Sequence, residues 1–101
     1  MPATIDKAEV LASLTPMAVL ARFAISARIT GAELRFAICP ECGPRTRADA
    51  VSINQRTGRW YCHVGGCSGD LLAMVAGFAG IDIERDFPRV LEVAATVAGI
   101  A

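Results

Sequence analysis

The sequence predicts an α+β domain, a small antiparallel β-sheet flanked by N-terminal and C-terminal helices. Three observations carry this. Apolar residues recur at helical spacing over residues 5–26 and again after Asp70. Between these regions the period drops to two, in ELRFAIC and in VSINQRTGRWYC. Four cysteines lie in that middle section, beside its predicted turns. With 101 residues the chain suits a single domain, 1–101, with helices over 1–30, the cysteine-bearing sheet over 33–68 and helices over 69–101. A chain of this size buries only a modest core, so an added staple would help it fold.

The elements follow in order. Asp6, with Glu9 three residues on, makes a capping-box-like start. Val10, Leu11 and Leu14 then fall on one helical face. Thr15-Pro16 reads as a second start, with Thr as cap and Pro in the first turn. Met17, Leu20, Ala21 and Ala24 form the face that follows, and Gly31 is a break. Leu34, Phe36 and Ile38 alternate with Arg35 and Ala37, as in a strand leading into Cys39. Val51 and Ile53 mark a second strand. Gln55-Arg56-Thr57-Gly58 is a hairpin loop, and Arg59 to Cys62 returns as a third strand. One closing helix starts near Asp70 and runs to about Gly77 or Phe78. Another runs from about Phe87 to Ala98. Asp70 and Asp86 sit at their N-termini, where unpaired N–H groups and the helix dipole favour a carboxylate.

Composition narrows the class. The longest apolar run, Leu71 to Ile81, has 11 residues, and a spanning helix needs about 20, so no membrane segment is expected. The charged start, with Asp6, Lys7 and Glu9, is unlike a signal peptide, and a cytoplasmic location is expected. Net charge is zero, so the whole-chain balance does not announce a nucleic-acid binder. The distribution says more. From Arg22 to Arg59 seven arginines face three acids, a net +4, while the stretch from Asp70 onward is net −3.

The cysteines are Cys39-Pro40-Glu41-Cys42, a C-x2-C, and Cys62 with Cys67, a C-x4-C, with 19 residues between the pairs. Zinc takes four N or S ligands at tetrahedral corners. Two tight turns brought side by side by a hairpin supply them, which is the zinc-ribbon or zinc-knuckle pattern. Pro40 and Gly43 suit the first turn, Gly65 and Gly66 the second. Two disulfides conflict with a reducing compartment. A redox C-x2-C opens a helix, whereas here Gly43-Pro44 and more strand follow. Four unrelated buried cysteines are a further alternative. The expected ligands of one structural Zn2+ are therefore Cys39, Cys42, Cys62 and Cys67. His63 is the alternative to Cys62: the two are neighbours on one strand and point to opposite faces, so only one reaches the metal.

The order CPEC, a hairpin ending in WYC, a further Cys, SGDLLAMVAGFAG and DFPRVLEVAATVAGI resembles the N-terminal zinc-binding domain of bacterial and phage DNA primases. Gly69-Asp70, Phe87, Val90, Leu91, Ala94, Ala95, Gly99 and Ile100 match that family's pattern, and the resemblance covers nearly the whole chain. Three departures stand out. The family's His is Cys42 here, the second pair is wider by two residues, and Arg45-Thr46-Arg47-Ala48-Asp49 replaces the family's Lys-Thr-Pro-Ser-Phe. The resemblance implies a zinc ribbon that binds single-stranded DNA template and supports primer synthesis. Its implied partners are a separate primase catalytic core and the replicative helicase. It implies no catalytic centre in this chain, and Asp82-Ile83-Glu84-Arg85-Asp86 reads as a loop and a helix cap.

Single strands are held by positive grooves and aromatic faces. The candidate contacts are Arg45, Arg47, Arg56, Arg59, Trp60 and Tyr61. Tyr61 shares parity with Arg59, and Trp60 with Cys62, so one aromatic faces out when the other packs inside. Two other classes compete. One is a zinc-stapled protein-interaction domain that uses its apolar C-terminal helices. The other is an enzyme in which zinc activates water, but four thiolates leave no open coordination position.

Overall fold

The computed structural model describes residues 5–44 and 48–100, so Arg45 and Arg47 lie outside the described residues. Two short helices open the chain, α1 (Lys7–Ser13) and α2 (Pro16–Arg22). Their starts follow local chemistry: Asp6 accepts from the Ala8 N–H at 3.0 Å, and Thr15 Oγ1 from the Ala18 N–H at 3.2 Å. Helix α2 stops earlier than the periodicity predicts. The Ala24 N–H donates to the Ala21 carbonyl and the Ile25 N–H to that of Leu20, and Ala24 takes a φ of 57°. This is a Schellman-type end with alanine where glycine usually sits.

The middle of the chain forms β1 (Arg28–Thr30), β2 (Glu33–Phe36), β3 (Ile38–Cys39), β4 (Gly43–Pro44), β5 (Val51–Asn54), β6 (Trp60–Cys62) and β7 (Ser68–Gly69). Among the described residues they make a five-stranded antiparallel sheet in the order β1-β2-β5-β6-β7 and a two-stranded sheet of β3 and β4. Gly31 is thus a hairpin turn and not merely a break. Thr30 pairs with Glu33, and Gly31 takes the positive φ of 61° that the first loop position of a two-residue turn demands. The predicted strand from Leu34 to Cys39 divides. Its second part, Ile38–Cys39, leaves the main sheet to pair with Gly43–Pro44 and closes the first cysteine turn. The β5–β6 turn is held by the Asn54 side chain, which accepts from the N–H groups of Arg56 and Thr57 at 2.8 and 3.0 Å.

Helices α3 (Leu71–Ala79) and α4 (Phe87–Ala98) close the chain. Asp70 caps α3 by accepting from the Ala73 N–H at 2.9 Å. Asp86 makes no such side-chain bond. Asp82 instead shapes the loop, accepting from the N–H groups of Glu84 and Arg85. The helices pack on one face of the sheet, where Leu34, Phe36, Val51, Ile53 and Trp60 meet Val10, Val19, Leu20, Leu72, Met74, Val75 and Val90 in a single core. No helix of the described residues is long and apolar enough to cross a membrane.

One contact ties the helical layer to the first cysteine turn. A Cβ at Gly77 of α3 would lie 2.6 Å from Pro40 Cβ and 2.7 Å from the Pro40 carbonyl oxygen. Only glycine lets the helix come this close.

Candidate metal centre

Strand β3 ends on Cys39, and the turn Cys39-Pro40-Glu41-Cys42 is closed by the pairing of Cys39 with Gly43. Strand β6 ends on Cys62, and Cys67 precedes β7. Hydrogen bonds from the Cys62 N–H to the Cys67 carbonyl (2.7 Å) and from the Gly66 N–H to the Cys62 carbonyl (2.8 Å) shape the second turn. Of the two glycines expected there, Gly66 takes a positive φ, 77°.

These turns bring the sulfurs together. Cys39, Cys42 and Cys67 place their sulfurs within 4.8 Å of one another, a group that can hold a metal ion. The Cys42 and Cys67 sulfurs are 3.2 Å apart, well beyond the roughly 2.05 Å of a disulfide bond. None of the four cysteines is joined in a disulfide. A tetrahedral site with metal–sulfur bonds of about 2.3 Å sets its sulfurs about 3.8 Å apart, the scale of this group. Cys62 stands beside the three. Its sulfur hydrogen-bonds with that of Cys39 and accepts from the Gly65 N–H at 3.3 Å.

One feature of the cluster suits a cation. The Cys39 sulfur accepts backbone N–H groups from Cys42 and Glu41, and such bonds favour the thiolate that binds metals. Against this, burial pushes the Cys39 thiol up from its ordinary value, and the neighbouring Cys42 and Cys62 thiols add to the rise. Hydrogen bonding to Cys42, and then to Glu41, pushes the Cys67 thiol up to about 12. Crowded sulfurs resist accumulating negative charge, and a bound dication inverts that balance by deprotonating its ligands.

His63 faces away from this cluster. Its backbone N–H donates to the Ala50 carbonyl at 2.7 Å, and its Nε2 lies 2.9 Å from Ser52 Oγ. Its ring meets Tyr61 edge-on, with centroids 4.9 Å apart. Like Cys62, it is not in the metal-capable group of the described residues, which is Cys39, Cys42 and Cys67. The alternation of strand side chains explains the separation of Cys62 from His63.

The same alternation sorts the other candidates. Trp60 is 2% exposed, and its indole N–H donates to the Asp70 carbonyl at 2.9 Å. It belongs to the core, a correction to its expected place among ligand contacts. Tyr61 is 45% exposed, and Arg59 is exposed on the same face. Arg56 lies at the hairpin turn, where with Leu11, Pro16 and Leu71 it borders a cavity of about 220 Å³. Two residues that sequence reasoning did not single out join the outer face. The pairing of Arg28 with Arg35, Arg35 with Ser52, and Ser52 with Tyr61 puts all four in one row across the strands. Arg28 is exposed, and Arg35 holds Glu33 at 3.1 Å. The alternation of Arg35 with Leu34 and Phe36 already marked Arg35 as outward, but β1 carried too weak a pattern to place Arg28.

No protein-family model matches the sequence, and no curated protein matches it.

Proposed function

We propose that this chain is a zinc-stapled nucleic-acid-binding module of the DNA-primase type, which engages single-stranded template DNA while a separate catalytic core makes the primer. The metal part of the reading is one structural Zn2+ held by Cys39, Cys42, Cys62 and Cys67. The all-sulfur donor set favours zinc among common dications, and four thiolates leave no position for catalysis at the metal. The backbone N–H bonds to Cys39 and Cys62 support Cys62 as the fourth ligand. Bound there, zinc would supply cross-linking of two turns and no reaction chemistry.

The observation that carries the reading is the division of labour along β6. Trp60 and Cys62 face the core and the sulfur cluster, while Arg59 and Tyr61 face solvent. Arg28 and Arg35 extend that solvent face as a basic row, with Glu33 as an acidic neighbour. A single strand would meet arginines for its phosphates and an exposed aromatic ring for a base. Zinc at the end of β6 would hold this face rigid.

Fluorescence anisotropy with short single-stranded DNA tests the reading. The double variant Arg56→Ala, Arg59→Ala should lose tenfold or more in affinity at low salt while keeping its zinc and its melting temperature. Wild-type affinity should fall with salt, with a log–log slope of about −0.7 for each phosphate contacted. Unchanged affinity in the double variant contradicts the reading. A wild-type chain that binds no single-stranded DNA would make the protein-interaction domain the better account.

A further inference from the structure

We infer that Cys42 and Cys67 form a site of oxidative modification, a pair that a peroxide converts to a disulfide and thereby opens the metal centre. The inference rests on the four-cysteine reading above and goes beyond it, because it separates the four sulfurs into two unlike pairs.

Burial makes the first division. Cys39 is 1% exposed and Cys62 0%, whereas Cys42 is exposed and Cys67 half-buried. Backbone bonding makes the second. The Cys39 sulfur is held by the N–H groups of Cys42 and Glu41, and the Cys62 sulfur by that of Gly65. The thiol of Cys67 meets the Gly65 carbonyl at a long 4.0 Å. Distance makes the third. The two accessible sulfurs are 3.2 Å apart although their residues are 25 positions apart in the chain. A reagent arriving from solvent therefore meets Cys42 first and finds its resolving partner already in contact. Bond formation needs closure from 3.2 Å to about 2.05 Å.

The chemistry balances with hydrogen peroxide as the oxidant. The Cys42 sulfur attacks one peroxide oxygen, the O–O bond breaks, and a sulfenic acid forms on Cys42 as the other oxygen leaves and takes up a proton to become water. The Cys67 sulfur then attacks the sulfenic sulfur. The S–S bond forms, the S–O bond breaks, and the departing oxygen leaves as a second water. The two sulfurs give up two electrons, and the peroxide takes both. The two protons come from the thiols, or from solvent where the sulfurs are already thiolates. Cys39 and Cys62 remain reduced, and two thiolates alone do not retain a structural zinc ion. A dithiol reductant reverses the step by thiol–disulfide exchange.

The experiment uses the wild-type chain, so no variant has to fold. Native mass spectrometry first counts zinc, which tests the metal reading separately. The loaded protein is then treated with peroxide in steps. Zinc release is followed with a chromogenic chelator, and the disulfide is mapped by peptide mass spectrometry after alkylation. The expected result is one Cys42–Cys67 link per zinc released, with Cys39 and Cys62 still alkylatable after denaturation. Dithiothreitol with added zinc should restore the starting mass. A link involving Cys39 or Cys62 as the first product overturns the inference. So does release of zinc without any disulfide. A chain that carries no zinc at the outset contradicts the metal-centre reading, and the switch falls with it.

Discussion

On its inner face the sheet presents Leu34, Phe36, Val51, Ile53, Trp60 and Cys62, none more than 2% exposed. On its outer face Arg28, Arg35, Ser52 and Tyr61 stand in one row across β1, β2, β5 and β6, and the exposed Arg59 and His63 flank β6; of these six Ser52 alone is buried. Each strand therefore serves two requirements at once. The inner residues answer to packing density, where one methylene is felt. The outer ones are constrained only by solvent and by whatever binds there. Strand β6 joins the two regimes most tightly, since Arg59, Tyr61 and His63 alternate with Trp60 and Cys62. The lesson is that inner-face changes should be read in stability, and outer-face changes in binding.

Removing the metal should break the inner side hardest. Structural zinc sites carry apparent binding energies of about 10–16 kcal/mol, comparable to the whole stability of a small domain. Chelation of the proposed zinc should abolish cooperative thermal unfolding followed by circular dichroism. Acid should do the same, because ligand sulfurs must shed protons to bind metal, and Cys39 and Cys67 hold theirs more tightly than a free thiol does.

The next largest effect should come from Gly77→Ala, which drives a methyl into Pro40 at 2.6 Å. Overpacking of this kind costs about 1–3 kcal/mol, and the rigid proline and its backbone give little room to relax. Urea denaturation should show the loss. Tyr61→Ala on the outer face should change stability by no more than about 0.5 kcal/mol while weakening single-strand binding. Equal destabilisation by the two changes would erase the distinction between close-packed contacts and the outer face. The smallest effect sharpens the account from outside the sheet. Ala24→Gly should stabilise by about 0.5–1 kcal/mol, because glycine takes the φ of 57° without the steric cost alanine bears.

What the sequence made legible was local. Asp6, Thr15 and Asp70 announced their helices because each caps a neighbour within three residues. The cysteine spacing announced a cluster, since each pair is set on its own short turn. What stayed hidden was set by distant partners. Arg28-Ile29-Thr30 is exposed throughout and is a strand only because β2 pairs with it. Nothing local to Gly77 reports that Pro40 lies against it. The early end of α2 turns on Ala24, whose side chain gives no sign of a left-handed conformation. Parity predicted that Cys62 and His63 diverge, but only the tertiary fold shows Ser52 and Tyr61 taking up the histidine.

That divergence matters most, because it would put the proposed metal on one face of β6 and leave the other open to the proposed ligand. X-ray absorption at the zinc edge of the loaded chain tests it most directly. The account predicts a shell of four sulfurs at about 2.3 Å with no nitrogen. A shell of three sulfurs and one nitrogen at about 2.0–2.1 Å would put His63 on the metal and contradict it.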